Sequence, residues 1–173
     1  MSIPTDRLLD ERKTVSLLNA GDAFPAMAVN VAGSGTLDVR EELAGGYGVV
    51  LFYRGSWCPY CNAQLRAFQR AGDRLAETGI KVIALSVDSE VTTKELVAKH
   101  KLTFPVGHSA DARAIARATG AFVNEDPEYL QSTGFVLGPD GRVLTAVYSN
   151  GAIGRLVPED VIGLVSYLKE HAG

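Results

Sequence analysis

The feature that most restricts the fold is a pair of apolar runs, Gly48–Tyr53 (GVVLFY) and Lys81–Val87 (KVIALSV), with a helical pattern between them. Runs of β-formers without polar alternation belong to strands covered on both faces. Between them Cys61, Leu65, Phe68 and Leu75 recur at steps of four, three and seven. That spacing puts them on one face of a helix predicted from about Pro59 to Glu77, with Gly79 ending it.

The flanking segments extend this unit. MAVNV (Met27–Val31) and TLDV (Thr36–Val39) alternate around a GSG turn and read as a hairpin. A helix is predicted over Thr92–His100, capped by Thr92 or Thr93, followed by a short strand at Thr103–Val106. The next helix starts near Ser109 or Asp111, runs to Thr119 and stops at Gly120. Gly134–Leu137 and Arg142–Tyr148 flank GPDG and form a second hairpin, and a last helix runs from Pro158 to about His171. Residues 1–20 read as an N-terminal helix or arm, and residues 21–173 as one domain. The alternation implies an α/β three-layer fold: a mixed central sheet, helices on both faces and an N-terminal hairpin extension. A chain of 173 residues buries about 70% of its unfolded surface, enough for a core without staples.

With 17 basic and 20 acidic residues, the chain carries no electrostatic footprint for nucleic acid. The charged start MSIPTDRLLDERKT lacks the apolar stretch of a signal peptide, and no run approaches the ~20 residues that span a bilayer. A cytoplasmic protein without a membrane partner is expected. Two cysteines cannot staple a scaffold, and in a reducing compartment close thiols are catalytic or metal-binding.

Both cysteines lie in RGSWCPYC (Arg54–Cys61), where a buried strand gives way to a helix. The unsatisfied N–H groups and positive dipole end of a helix's first turn favour a thiolate at Cys58. Pro59 suits that turn, since its fixed φ is helical and its missing donor is not needed there. Cys61 falls one turn in, close enough to Cys58 for a disulfide. Cys58 is expected to attack and the more covered Cys61 to resolve. Arg54 either stabilises the thiolate and a polarised peroxide or disulfide, or is a solvated charge at a strand end. Trp57 is expected to form an apolar wall. A zinc site would need two further ligands, and His100, His108 and His171 lack zinc-finger spacing, so neither metal nor cofactor is expected.

The block VVLFYRGSWCPYCNAQLRAF resembles the active-site segment of the peroxiredoxin-like branch of the alkyl hydroperoxide reductase/thiol-specific antioxidant (redoxin) family. GDAFP, ALSVDS, FPVGHSADARAIARATGA and FVLGPDGRVL are similar to further family segments in the same order, over roughly residues 20–150. CPYC is also the glutaredoxin arrangement, but glutaredoxins are shorter and lack GDAFP and the SVDS–FPV stretch. The resemblance implies a thioredoxin-like fold and a thiol peroxidase acting on hydroperoxides. Cys58 would be oxidised to a sulfenic acid and would condense with Cys61, and an external thiol system such as thioredoxin or glutaredoxin would reduce the disulfide. Homodimers are common in the family. Cys58, Cys61, Arg54 and Ser56 are the expected catalytic set, with Trp57, Pro59, Thr133 and Gly134 bordering the substrate pocket.

The chain also departs from the family pattern. Peroxiredoxins place proline seven residues, and threonine or serine three residues, before the peroxidatic cysteine, where this chain has Leu51 and Gly55. Ser56 stands one place later and offers a hydroxyl. The family arginine should fall near Gln131–Thr133, which reads QST. A thioredoxin-type cis-proline is absent before Phe135, and Pro105 reads as a strand-end packing residue. Two other readings therefore stay open: a thiol–disulfide oxidoreductase with little peroxidase activity, and a non-enzymatic redox-sensing module.

Overall fold

The computed structural model describes residues 17–172; most of the expected N-terminal helix or arm lies outside them. Nine strands and six helices follow in order: β1 (Ala28–Val31), β2 (Thr36–Asp38), α1 (Val39–Leu43), β3 (Tyr47–Phe52), α2 (Pro59–Arg70), α3 (Gly72–Thr78), β4 (Ile80–Leu85), α4 (Glu90–His100), β5 (Val106–His108), α5 (Ala112–Thr119), β6 (Val123–Glu125), β7 (Glu128–Leu130), β8 (Thr133–Leu137), β9 (Val143–Tyr148) and α6 (Pro158–His171). Seven strands form one mixed sheet in the order β2-β1-β5-β4-β3-β8-β9, and β6 and β7 form a separate hairpin.

The two apolar runs pair in parallel at the centre, Val49 opposite Val82 and Leu51 opposite Ala84. Because side chains alternate along a strand, each run feeds two cores. Val49, Leu51 and Val82 join Leu65, Phe68, Leu75, Leu96 and Val165 from α2, α3, α4 and α6 on one face. Val50, Phe52 and Ile83 join Phe24, Val39, Leu43, Ile115 and Phe135 on the other. Phe135 touches Phe24, Phe52 and Tyr148 edge-on, with ring centroids 5.3, 5.5 and 5.6 Å away.

Local chemistry moves several expected boundaries. Val39 leaves the hairpin because Asp38 accepts the Glu41 N–H and opens α1. The helix predicted from Pro59 to Glu77 is two helices, since glycine is a poor helix former and the chain turns at Ala71 before Gly72. The turn aims Leu75 into the same core as Leu65. Ser89 caps α4, its hydroxyl accepting the Thr92 N–H, so Thr92 and Thr93 lie inside the helix. The strand predicted at Thr103–Val106 begins only at Val106, because Pro105 has no N–H to give; its carbonyl accepts from Ala84 N at the strand entry. Asp111 caps α5 as expected.

Candidate active site

Strand β3 carries the chain into the core, and Arg54–Trp57 turn it back before α2. Cys58 is the N-cap of α2: its sulfur accepts the Cys61 N–H at 3.3 Å, and its N–H goes to Gly55 O at 3.1 Å. Cys61 Sγ in turn accepts the Arg54 N–H at 3.3 Å. Both thiols are free and fully covered. The residues on either side of Cys58, Trp57 and Pro59, are exposed.

Two guanidinium groups meet at the sulfurs. Arg54 places a donor 3.9 Å from Cys58 Sγ, and Arg155 places one 3.7 Å from Cys58 Sγ and 3.0 Å from Cys61 Sγ. Gln131 Oε1 accepts Arg54 Nε at 3.0 Å and the Tyr129 hydroxyl accepts Nη2 at 3.0 Å, while the cation packs over the Trp57 and Tyr129 rings. Arg155 donates to Gln64 Oε1 and Ala152 O, each at 2.7 Å. The Gln64 amide nitrogen donates to Leu156 O, which fixes the oxygen toward Arg155.

This arrangement separates the two thiols. Burial raises the pKa of Cys58, but hydrogen bonds from Cys61, with Arg54 and Arg155, outweigh it and hold Cys58 below the ordinary thiol value. Burial pushes Cys61 up, and its hydrogen bond to Cys58 pushes it further, despite the Arg54 N–H and Arg155. Cys58 is therefore the more readily ionised of the two thiols, and Cys61 the one that keeps its proton to higher pH.

The other expected site residues take varied places. The Ser56 N–H donates to Asp88 Oδ2 at 2.8 Å and its carbonyl accepts from Asn62, so its backbone pins the turn. Trp57 is 54% exposed and lies edge-on to Tyr129. Pro59 opens α2 on the exposed side. Thr133 and Gly134 are buried within β8; the Thr133 hydroxyl donates to Gln131 O, and Gly134 lies directly under Leu156. Thr133 thus backs Gln131, which holds Arg54, while Gly134 packs under the neighbour of Arg155 in sequence. Gly55 is required by Trp57, since a Cβ there would lie 2.2 Å from the indole nitrogen. Among the described residues no cluster of three or more His, Cys, Asp or Glu is placed to hold a metal.

Arg155, Gln64, Tyr129 and Gln131 were not among the residues expected from the sequence. The QST segment holds no arginine, yet its Gln131 positions Arg54, and a second guanidinium arrives from the loop between β9 and α6. The β6–β7 hairpin that carries Tyr129 is built from two three-residue strands around a cis Asp126–Pro127 peptide, too short for a periodic signal.

The AhpC/TSA family model matches residues 20–146. The chain belongs to the AhpC/TSA family. It is 28% identical over 147 residues to a peroxiredoxin of Methanothermobacter thermautotrophicus, covering 82% of this chain and 69% of that protein. It is 30% identical over 148 residues to a peroxiredoxin of Treponema denticola, again covering 82% of this chain and 69% of the relative. A cysteine mutant of peroxiredoxin 6 from Arenicola marina superposes with a TM-score of 0.78 at 20% identity, over 90% of this chain and 75% of that one. The α/β thioredoxin-like fold with a mixed sheet is therefore that of this AhpC/TSA protein.

Proposed function

We propose that the protein is a thiol-dependent peroxide reductase in which Cys58 is the peroxidatic cysteine. The observation that carries this reading is the Cys58 sulfur at a helix N-terminus between two arginines, beside a second thiol whose pKa burial pushes up. The Cys58 thiolate attacks the terminal peroxide oxygen; an S–O bond forms, the O–O bond breaks, and sulfur is oxidised to a sulfenic acid. The departing alkoxide or hydroxide takes a proton from solvent or the Cys61 thiol. The guanidinium groups supply positive charge where negative charge develops, because the Cys58 N–H is already engaged by Gly55.

Cys61 then attacks the sulfenic sulfur as it loses its proton, if the first step has not already taken it; an S–S bond forms and hydroxide leaves, protonated to water. An external dithiol of the thioredoxin or glutaredoxin kind returns two electrons and two protons. We propose a cytoplasmic location, in keeping with the charged start of the chain, and a homodimer as a candidate assembly. No described helix is long and apolar enough to cross a membrane.

A second reading, thiol–disulfide exchange, draws on the Cys-x-x-Cys at a helix N-terminus with a low-pKa first thiol. Stopped-flow oxidation separates the two. Under the peroxidase reading hydrogen peroxide oxidises wild type and Cys61→Ser rapidly and leaves Cys58→Ser untouched, and a sulfenic-acid trap labels only Cys61→Ser. Rapid exchange with a protein disulfide, with peroxide no faster than on a free thiol, would replace it by the exchange reading.

A further inference from the structure

The two arginines are held without a carboxylate. Arg54 bonds Gln131, Tyr129 and Cys58, and Arg155 bonds Gln64, Ala152 O, Cys58 and Cys61. Among the described residues neither joins a salt bridge. A glutamate at position 64 or 131 would cancel one charge; the chain has the neutral amide at both. Once Cys58 is ionised, two cations face a single thiolate and one unit of positive charge remains over.

Arg155 sits against both sulfurs, 3.0 Å from Cys61 Sγ and 3.7 Å from Cys58 Sγ. Arg54 places a donor 3.9 Å from Cys58 Sγ and packs over Trp57, whose ring is exposed to solvent. We infer that Arg54 binds a negative group of the substrate, and that the preferred oxidant is a small hydroperoxide with a carboxylate one carbon from its O–O bond. This rests on the peroxide-reductase reading. A 2-hydroperoxy acid whose terminal oxygen meets the sulfur carries its carboxylate only a few bonds away, on the scale of a guanidinium whose donor lies 3.9 Å from Cys58 Sγ. A carboxylate at the end of a long chain would pass beyond Arg54. The redox step is unchanged: sulfur becomes a sulfenic acid, the O–O bond breaks, and the alkoxide takes a proton from solvent to leave a 2-hydroxy acid. Focused positive charge of this kind raises the capture rate of anions by about 10- to 1,000-fold and weakens with salt.

The test uses 2-hydroperoxy-2-methylpropanoate, its methyl ester and hydrogen peroxide. The rate of Cys58 oxidation by each is divided by its rate with a free thiolate in solution. The expected acid-to-ester ratio is about tenfold or more in wild type. It falls as salt is raised, survives in Arg54→Lys and drops to near one in Arg54→Gln. A ratio near one in wild type, or undiminished in Arg54→Gln, overturns the inference. If wild type reduces the ester and hydrogen peroxide but the acid-to-ester ratio is one, the inference alone fails. If it reduces none of the three, the peroxide-reductase reading fails and takes the inference with it.

Discussion

Among the described residues Arg155 alone brings a guanidinium to both sulfurs, and its replacement by methionine removes that group while keeping an unbranched side chain in the loop. Its donor lies 3.7 Å from Cys58 Sγ and 3.0 Å from Cys61 Sγ. A hydrogen bond to a charged group contributes about 1.5–3 kcal/mol. At about 1.4 kcal/mol per factor of ten, its loss slows Cys58 oxidation by roughly ten- to hundredfold near neutral pH. The sign with pH follows from the ionisation. Cys58 lies below the ordinary thiol value partly because of Arg155, so the variant titrates at higher pH. The deficit is then largest at low pH and narrows once the medium is basic enough to ionise an ordinary thiol. Stopped-flow rates across pH, with thiolate ultraviolet absorbance on the same samples, give both quantities. Arg155 also ties Ala152 O and Gln64 into place, so a structural loss must be separated from an electrostatic one. Arg155→Lys does this, because it restores charge without the two-pronged geometry and should recover part of the rate at low pH. An Arg155→Met protein with the wild-type pH profile and rate would refute the assignment of Arg155 to the thiolate.

Three further outcomes test the frame around the site. Gly55→Ser puts a Cβ where the Trp57 indole nitrogen lies, so the ring must move; we expect altered tryptophan fluorescence and a loss of about 1–3 kcal/mol in denaturant melts. Phe135→Ala empties the point where Phe24, Phe52 and Tyr148 meet and should cost about 3–5 kcal/mol by the same measurement. The lowered Cys58 ionisation stabilises the fold at pH above the unfolded thiol's pKa, and that contribution is lost as pH falls through the folded value. The stability gap between wild type and Cys58→Ala should therefore widen in favour of wild type with rising pH, and a gap that narrows would contradict the assignment.

What could be read from the chain was whatever repeats locally. The runs at Gly48–Tyr53 and Lys81–Val87 and the face of Cys61, Leu65 and Phe68 have periods that burial enforces, and they place Cys58 at a helix start. Arg54 was legible because it lies four residues from Cys58. Arg155 was not: it reaches Cys58 across 97 positions from a loop whose shape follows from side-chain packing, with Leu156 buried against Gly134. Tyr129 and Gln131 depend likewise on a hairpin of three-residue strands. The same distinction explains the departures from the family pattern. Leu51 is fully buried, paired with Ala84 on one side and Gly134 on the other, so a proline there would take a donor from the centre of the sheet. Gly55 has no side chain because Trp57 occupies that space above Arg54. The positions that look vacant beside Cys58 are filled for structural reasons, and the charge comes instead from a residue remote in sequence. A family function carried on this chain must be argued from Arg54 and Arg155 together, since neither the position nor the spacing of the usual activating groups is kept.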